Sequence, residues 1–96
     1  MHEKWSPQAE QDLRYNLKII LTIWDEKLAD QFLKIVRTCT DRIKAHPTQN
    51  PFFSPRRGIR KYIIDGHNAM YYQIEADTIE ILRIFPTRSN PAKLGL

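Results

Sequence analysis

Apolar residues in the first half of the chain recur every three or four positions. The recurrence runs from about Pro7 to Ile23 and again from about Glu26 to Ala45, which predicts two α-helices with one apolar face each. Ser6 is a favourable N-cap for the first helix, and Asp25 for the second. Because the turn between the helices is so short, they should form an antiparallel hairpin. The predicted apolar positions are, in chain order, Ala9, Leu13, Leu17, Ile20, Leu21, Trp24, Leu28, Phe32, Ile35, Val36, Cys39 and Ile43.

The pattern after residue 58 is typical of strands. Three β-branched and aromatic runs, Ile59–Ile64, Ala69–Ile74 and Thr78–Phe85, are separated by turn residues. A short segment ending at Trp5 predicts a further strand at the sheet edge. The order predicts an α+β fold: an N-terminal short strand and an antiparallel helical hairpin packed on a small, mainly antiparallel β-sheet (β-α-α-β-β-β). We expect a single domain over residues 1–96.

Two other segments lack a clear period. Residues 46–57 hold three prolines and predict an ordered surface loop, and Pro86 should end strand pairing. The polar and basic tail Thr87–Leu96 is expected to be partly mobile.

The middle of the three predicted strands, Ala69–Ile74, should have one face in the core. Its other face should form a shallow surface between the loop of residues 46–57 and the tail. The expected core residues of that strand are Met70, Tyr72 and Ile74, and the residues of the opposite face are Ala69, Tyr71 and Gln73.

Charge is spread unevenly along the chain. The net charge is +4, but residues 42–64 carry six basic and no acidic side chains, whereas residues 65–80 carry four acidic and no basic ones. A basic segment of this kind is typical of a surface that binds an anion or an acidic partner, although an ordinary solvated surface has the same composition.

Several kinds of site are disfavoured. His2, His46 and His67 are far apart and have no cysteine partners, so we expect no metal site, and without a glycine-rich phosphate loop we expect no cofactor. Cys39, the only cysteine, lies on an apolar helix face and should be a buried, inert thiol. No apolar run approaches the roughly 18 residues of a membrane span, and no signal peptide is evident, so we expect a cytoplasmic, bacterial protein with no membrane partner.

Residue types alone leave the chemistry open. RNA cleavage would need cations around a phosphate and a proton-transfer group, for which His67 and Tyr71 or Tyr72 are candidates. Single-stranded nucleic acid could instead stack on the tyrosines. A purely structural role is equally simple, with Tyr72 in the core. The cations available to any such site are Arg56, Arg57, Arg60, Lys61, Arg83 and Arg88.

The motifs AEQDL, IWDEKLADQF, AHP, GIRKYII, HNAMYYQI and IEILRIFPTRSNPAKL, in that order, resemble the RelE/ParE superfamily of bacterial toxins. These proteins are often named plasmid stabilization proteins, and the resemblance covers nearly the whole chain. It implies the toxin component of a type II toxin–antitoxin system, neutralised by a cognate antitoxin whose segments wrap the helices and the sheet edge. A homodimer and a toxin–antitoxin hetero-oligomer are both compatible with it.

The two branches of the superfamily differ in target: RelE-like members cut messenger RNA on the ribosome, and ParE-like members block DNA gyrase. Arg60 matches a basic position of the RelE cleft, and Arg88 falls close to another. However, Ala69 and Tyr62 stand where RelE has an arginine and a lysine, and the C-terminal tyrosine of RelE is absent. The ending ILRIFPTRSNP looks ParE-like, although Phe85-Pro86 replaces a histidine of many members.

The resemblance therefore favours a ParE-like toxin that binds gyrase without being an enzyme. The alternatives are a ribosome-dependent mRNA endonuclease and a non-toxic, degenerate member that binds only an antitoxin. The residues expected to contact the target or the antitoxin are Arg56, Arg57, Arg60, Lys61, Tyr71, Arg83 and Arg88.

Overall fold

A hairpin of two helices covers one face of a five-stranded sheet in the computed structural model, which describes all 96 residues. Each predicted element is present, and one further strand is added. In chain order the elements are β1 His2–Trp5, α1 Pro7–Ile23, α2 Glu26–Ala45, β2 Phe52–Ser54, β3 Ile59–Ile63, β4 Asn68–Glu75 and β5 Thr78–Pro86, with single 3-10 turns at Pro55–Arg57 and Pro91–Leu94.

The strand order across the sheet is β1-β5-β4-β3-β2. β1 runs parallel to β5, and all other neighbours are antiparallel, which confirms the predicted α+β, mainly antiparallel architecture. β1 forms one edge, as expected. The other edge is β2, which lies inside the segment predicted to be a loop. Three residues are too few to display a strand period, so the sequence pattern missed it.

Both helix starts are capped as predicted. The Ser6 hydroxyl oxygen accepts a hydrogen bond from the Ala9 amide at 3.0 Å and donates one to the Leu82 carbonyl at 2.7 Å. Ser6 therefore begins α1 and also fastens it to β5. The Asp25 carboxylate accepts from the Leu28 amide at 2.9 Å. Each cap satisfies an amide that would otherwise lack a partner in the first helical turn.

The main core lies between the helices and the sheet. Met70 and Tyr72 of β4 are fully buried there, which confirms the predicted inward face of this strand. Cys39 and Ile43 of α2 pack against them. Burial raises the pKa of the Cys39 thiol, so at neutral pH it stays protonated and packs as a small apolar side chain.

The opposite face of the sheet is not an open surface, and here the prediction of a shallow exposed face is wrong. The tail folds back over it, and Leu94 is only 3% exposed where it packs against Ile59, Ala69 and Tyr71. The tail covers this face because Leu94 and Leu96 give an otherwise polar segment two apolar anchors. Pairing along β5 does end at Pro86, opposite Asn68.

The apolar helix faces are buried only in part. Val36 and Ile43 of α2 reach the core, but Leu21, Trp24 and Leu28 around the interhelical turn are 50%, 68% and 39% exposed. The helix residues in the main core cluster lie at the start of α1 and in the second half of α2, and Ala29 is the one buried residue near the turn. Neither helix is both long and apolar enough to cross a lipid bilayer.

Candidate functional site

Four cations lie together at the β2–β3 edge of the sheet, and we name Arg56, Arg57, Arg60 and Lys61 the basic edge. Arg56 and Arg57 are exposed on the 3-10 turn, which ends at Gly58 with a φ of 69°. Glycine adopts this left-handed conformation without strain, so the turn can close and β3 can begin at once. None of the four cations forms an ion pair with a carboxylate.

Arg60 is tied to the loop that leads from α2 to β2. Its guanidinium donates to the Thr48 carbonyl at 3.1 Å and to the Asn50 carbonyl at 2.6 Å, and it lies 3.9 Å from the centroid of the Phe52 ring. The side chain opposite Arg60 on β4 is Tyr72, whose hydroxyl donates to the Pro47 carbonyl at 2.7 Å. Arg60 therefore orders this loop in addition to contributing charge.

Lys61 lies on the outer face of the sheet, beside Tyr71. Its ammonium is 5.9 Å from the centroid of the Tyr71 ring, close enough for a cation–π contact. Tyr71 itself is 3% exposed and packs edge-on against Phe53, with ring centroids 5.0 Å apart. Tyr71 thus packs under Lys61 and is not itself part of the surface. Its ring could stack on a partner only if the side chains that cover it moved away.

Burial raises the pKa of both adjacent phenols, Tyr71 and Tyr72. For Tyr72 this burial outweighs the hydrogen bond from Asn50 and the charge of Arg60, which act in the opposite direction. Since an unperturbed tyrosine already titrates near pH 10, both side chains are protonated at neutral pH. Neither phenol can accept a proton from a substrate hydroxyl under those conditions.

Arg83, expected on the contact surface, is mostly buried and bound to Asp12. Its Nε lies 2.8 Å from one Asp12 oxygen, and a terminal nitrogen lies 3.0 Å from the other. The remaining terminal nitrogen donates to the Leu94 carbonyl at 2.7 Å. The hydrogen bond that Arg83 donates to Asp12 is the main cause that raises the pKa of Arg83, against the effect of burial. Arg83 therefore connects α1, β5 and the tail.

Arg88 is exposed but lies away from the basic edge. It follows the end of β5, where the Thr87 amide donates to the His67 carbonyl at 2.8 Å. On β4, Tyr71 and Tyr72, which lie opposite Lys61 and Arg60, are three and four residues from Asn68 at that end. At about 3.3 Å per residue, the separation along the strand is roughly 10–13 Å. His67 is likewise at the far end, whereas His46 begins the loop whose Thr48 carbonyl accepts from Arg60.

Sequence reasoning missed three residues that shape these sites. Phe52 is 47% exposed, and the Arg60 guanidinium stacks on its ring. The only sequence feature that could have drawn attention to Phe52 is the Phe-Phe pair between two prolines. Asp12 and Leu94 gave no local signal, because their partners are 71 and 11 residues away along the chain. Only the folded chain brings them to Arg83.

A second exposed surface lies at the turn of the helical hairpin. We name Leu21, Ile23, Trp24 and Leu28 the hairpin end. Ile23 and Trp24 are 65% and 68% exposed, which is unusual for side chains of this size. An apolar cluster on a small protein is typical of a surface that another chain covers.

The family model described as ParE toxin of type II toxin-antitoxin system, parDE, matches residues 4–91. The chain belongs to the ParE toxin family. It is therefore a toxin of a type II toxin–antitoxin system, and the parDE pairing implies a cognate ParD antitoxin as its partner. No curated protein matches the chain significantly.

Solved structures with the same fold include other toxins. A structure described as the chromosomal ParDE TA system from P. aeruginosa is 18% identical, with a TM-score of 0.76 over 90% of this chain and 95% of that one. A conserved hypothetical protein from Helicobacter pylori is 13% identical with a TM-score of 0.57, over 91% of this chain and 94% of that one. A copper-bound mutant toxin from Helicobacter pylori is 15% identical with a TM-score of 0.56, over the same shares of the two chains. At these identities the three structures support the fold of this ParE-family toxin.

Proposed function

We propose that this ParE-family toxin inhibits DNA gyrase in the bacterial cytoplasm by binding to it through the basic edge, without cleaving a substrate. The observation that carries the proposal is the state of the basic edge. Its cations have no carboxylate partners, and Arg56 and Arg57 are exposed on the 3-10 turn that follows the edge strand β2. Exposed guanidinium groups without a carboxylate partner are suited to an anionic partner surface.

The surroundings of the basic edge favour binding over RNA cleavage. Cleavage by a neighbouring hydroxyl requires a group that removes its proton. Near the basic edge the candidates are Tyr71 and Tyr72, whose pKa values are raised by burial, and the Tyr72 hydroxyl already donates to Pro47. His67 lies at the other end of the sheet. The cations of the basic edge are thus able to bind a phosphate or a carboxylate, and the two tyrosines beside them are poorly suited to accept a proton.

We also propose that the antitoxin covers the hairpin end. Trp24 and its apolar neighbours are the largest exposed apolar side chains around the interhelical turn, and aromatic residues often contribute most to binding energy at an interface. An amphipathic antitoxin segment could bury them, and its acidic side chains could pair with the basic edge. This arrangement would let one partner neutralise the toxin without reaching the core.

The test is a supercoiling assay with purified gyrase and increasing toxin, run beside an in vitro translation assay. We expect loss of supercoiling and an unchanged translation yield. In cells, induction should give filamentation and a DNA-damage response while protein synthesis continues. Translation arrest with site-specific message cleavage, and intact supercoiling, would contradict the proposal and identify the ribosome as the target. If neither process is inhibited, the protein is a member that binds only its antitoxin.

A further inference from the structure

We propose that the outer face of the sheet is a peptide-binding site that the chain's own tail occupies. The partner we infer is an extended protein segment with an aliphatic side chain flanked by acidic residues. The site, which we name the outer pocket, is formed by side chains of β2, β3, β4 and β5. Its lining residues are Phe53, Ile59, Ala69, Tyr71, Leu82 and Phe85.

The first reason is that the contacts that seat the tail are available to any peptide. Two are aliphatic side chains: Leu94, which is 3% exposed among the lining residues, and Leu96, which packs against the same cluster. The third is the main-chain carbonyl of Leu94, which accepts from Arg83 at 2.7 Å. None of these contacts depends on the polar residues of the tail, so a different segment can supply them.

The second reason is how little else attaches the tail. Among residues 88–96, the Leu94 carbonyl is the only group that hydrogen-bonds to a residue before Pro86. The remaining hydrogen bonds are local, from the Ser89 amide to Pro86 and from the Ala92 and Lys93 amides to Asn90. A segment with this few long-range contacts can leave its site while the sheet stays folded.

The third reason is charge. The tail contains Arg88 and Lys93 and no acidic residue. Two cations lie near the outer pocket. The Lys61 ammonium lies over the Tyr71 ring, and Arg57 is separated by only Gly58 from the lining residue Ile59. An acidic segment can pair with these cations, which have no carboxylate partner, whereas the basic tail cannot, so an acidic segment should bind more tightly than the tail itself. This inference does not depend on whether gyrase is the target.

The experiment uses the full chain and two labelled ten-residue peptides in a fluorescence anisotropy titration. One peptide has the sequence of residues 87–96, and the other has the same sequence with Arg88→Glu and Lys93→Glu. The protein variants are wild type and Leu94→Ala. Because the intrachain tail competes with the peptide, weakening it should raise the apparent affinity for the acidic peptide, by roughly tenfold if the site is free in about a tenth of wild-type molecules. The acidic peptide should also bind more tightly than the unchanged one, and less so at high salt.

The matched control is Leu33→Ala, the same truncation at a position on α2 that is 41% exposed. It should bind the acidic peptide as wild type does, whereas Lys61→Glu should bind it more weakly. Equal affinity of wild type and Leu94→Ala, or no preference for the acidic peptide, overturns the inference.

A second measurement does not require a folded variant. Hydrogen exchange of the wild-type chain with added acidic peptide should show faster exchange at the Ala92 and Lys93 amides and unchanged exchange in β4. If the peptide binds and these tail amides stay protected, the peptide occupies some other surface and the outer pocket is not its site.

Discussion

Asp12 and Arg83 form a two-point ion pair across the free edge of β5, just beyond the last residue that β1 covers. One Asp12 oxygen also accepts from the Ile84 amide at 3.0 Å. The carboxylate therefore accepts the backbone hydrogen bond that a neighbouring strand would accept at this edge, in addition to binding the guanidinium. Both side chains are 16% exposed, so water compensates little for the loss of either partner.

We predict that Asp12→Ala lowers the free energy of unfolding by about 2–4 kcal/mol, because it leaves a mostly buried guanidinium and an edge amide without an acceptor. Urea unfolding followed by circular dichroism measures this. Glu10→Ala removes an exposed i, i+4 pair with Arg14 and should change stability by about 0.5 kcal/mol or less. Equal effects of the two substitutions would show that the Asp12 pair contributes no more than a surface pair.

Tyr72→Phe should loosen the loop between α2 and β2 while leaving the core packed. The ring stays in place, but the Pro47 carbonyl loses its donor and the Asn50 amide loses its acceptor. We expect a loss of about 1–2 kcal/mol and faster amide exchange at Lys61, whose amide donates to Pro51. Tyr15→Phe, at a ring that is 66% exposed, is the control and should have no measurable effect. Unchanged exchange at Lys61 would refute the anchoring role of the hydroxyl.

The acid stability of the protein should depend on Glu3, which joins β1 to α2. Burial alone would raise the pKa of Glu3, but hydrogen bonds from Arg37 and Trp5 and the charges of Arg37 and Lys44 outweigh it, so the pKa is lowered. A lowered folded-state pKa means that Glu3 contributes stability above its unfolded value, near 4.3, and loses that contribution as the pH falls through the folded-state value.

We therefore expect Glu3→Gln to be less stable than wild type by about 1 kcal/mol at pH 7, with the difference shrinking below about pH 4. Urea unfolding between pH 3 and pH 7 tests this prediction. Glu75→Gln, at an exposed position with no ion pair, should follow the wild-type pH profile with little offset. A stability gap for Glu3→Gln that is constant over this range would mean that the carboxylate charge is not the cause.

Removing the exposed part of the basic edge should reduce gyrase inhibition without unfolding the toxin. We expect the double substitution Arg56→Ala and Arg57→Ala to raise the concentration for half-inhibition of supercoiling by roughly tenfold or more, because two unpaired charges are lost. The unfolding midpoint should stay within error of wild type. Lys18→Ala with Lys27→Ala removes the same charge from exposed helix positions and should leave inhibition unchanged. If the two double substitutions weaken inhibition equally, inhibition depends on the net charge of the protein and not on the basic edge.

Antitoxin binding should depend on the hairpin end. Trp24→Glu should weaken the affinity of the cognate antitoxin by roughly 30-fold or more, since a central aromatic contact is typically worth about 2 kcal/mol or more. Isothermal titration calorimetry measures it. Tyr15→Glu introduces the same charge at a similarly exposed aromatic side chain on α1, outside the hairpin end. Antitoxin binding that survives Trp24→Glu at full strength would place the interface elsewhere.

The fold was largely predictable because its elements carry local signals. α1 and α2 begin and end where the periodicity and the caps of Ser6 and Asp25 indicated. β2 was not predictable, because Phe52–Ser54 is defined by its pairing with β3 rather than by a pattern of its own. The docked tail was missed for a related reason: the value of Leu94 as an anchor depends on a cluster assembled from four distant strands.

The candidate site was predictable in composition but not in arrangement. A count of cations could find Arg56, Arg57, Arg60 and Lys61 because they are close in sequence. The same count placed Arg83 beside them, although Asp12, 71 residues away, binds its guanidinium within the fold. Charge alone does not say whether a cation faces a partner or a neighbouring element, and that distinction requires the topology.

The pairing of β1 with β5 also bears on the order in which the chain acquires its activities. His2 pairs with Thr78, so the sheet cannot close until β5 has left the ribosome. The two helices precede β3, β4 and β5 in the chain and leave the ribosome earlier during synthesis. A newly made chain therefore displays the hairpin end before β3, β4 and β5 hold the basic edge in place. If the antitoxin covers the hairpin end, as we propose, an antitoxin already present in the cell would meet that surface before the basic edge is assembled.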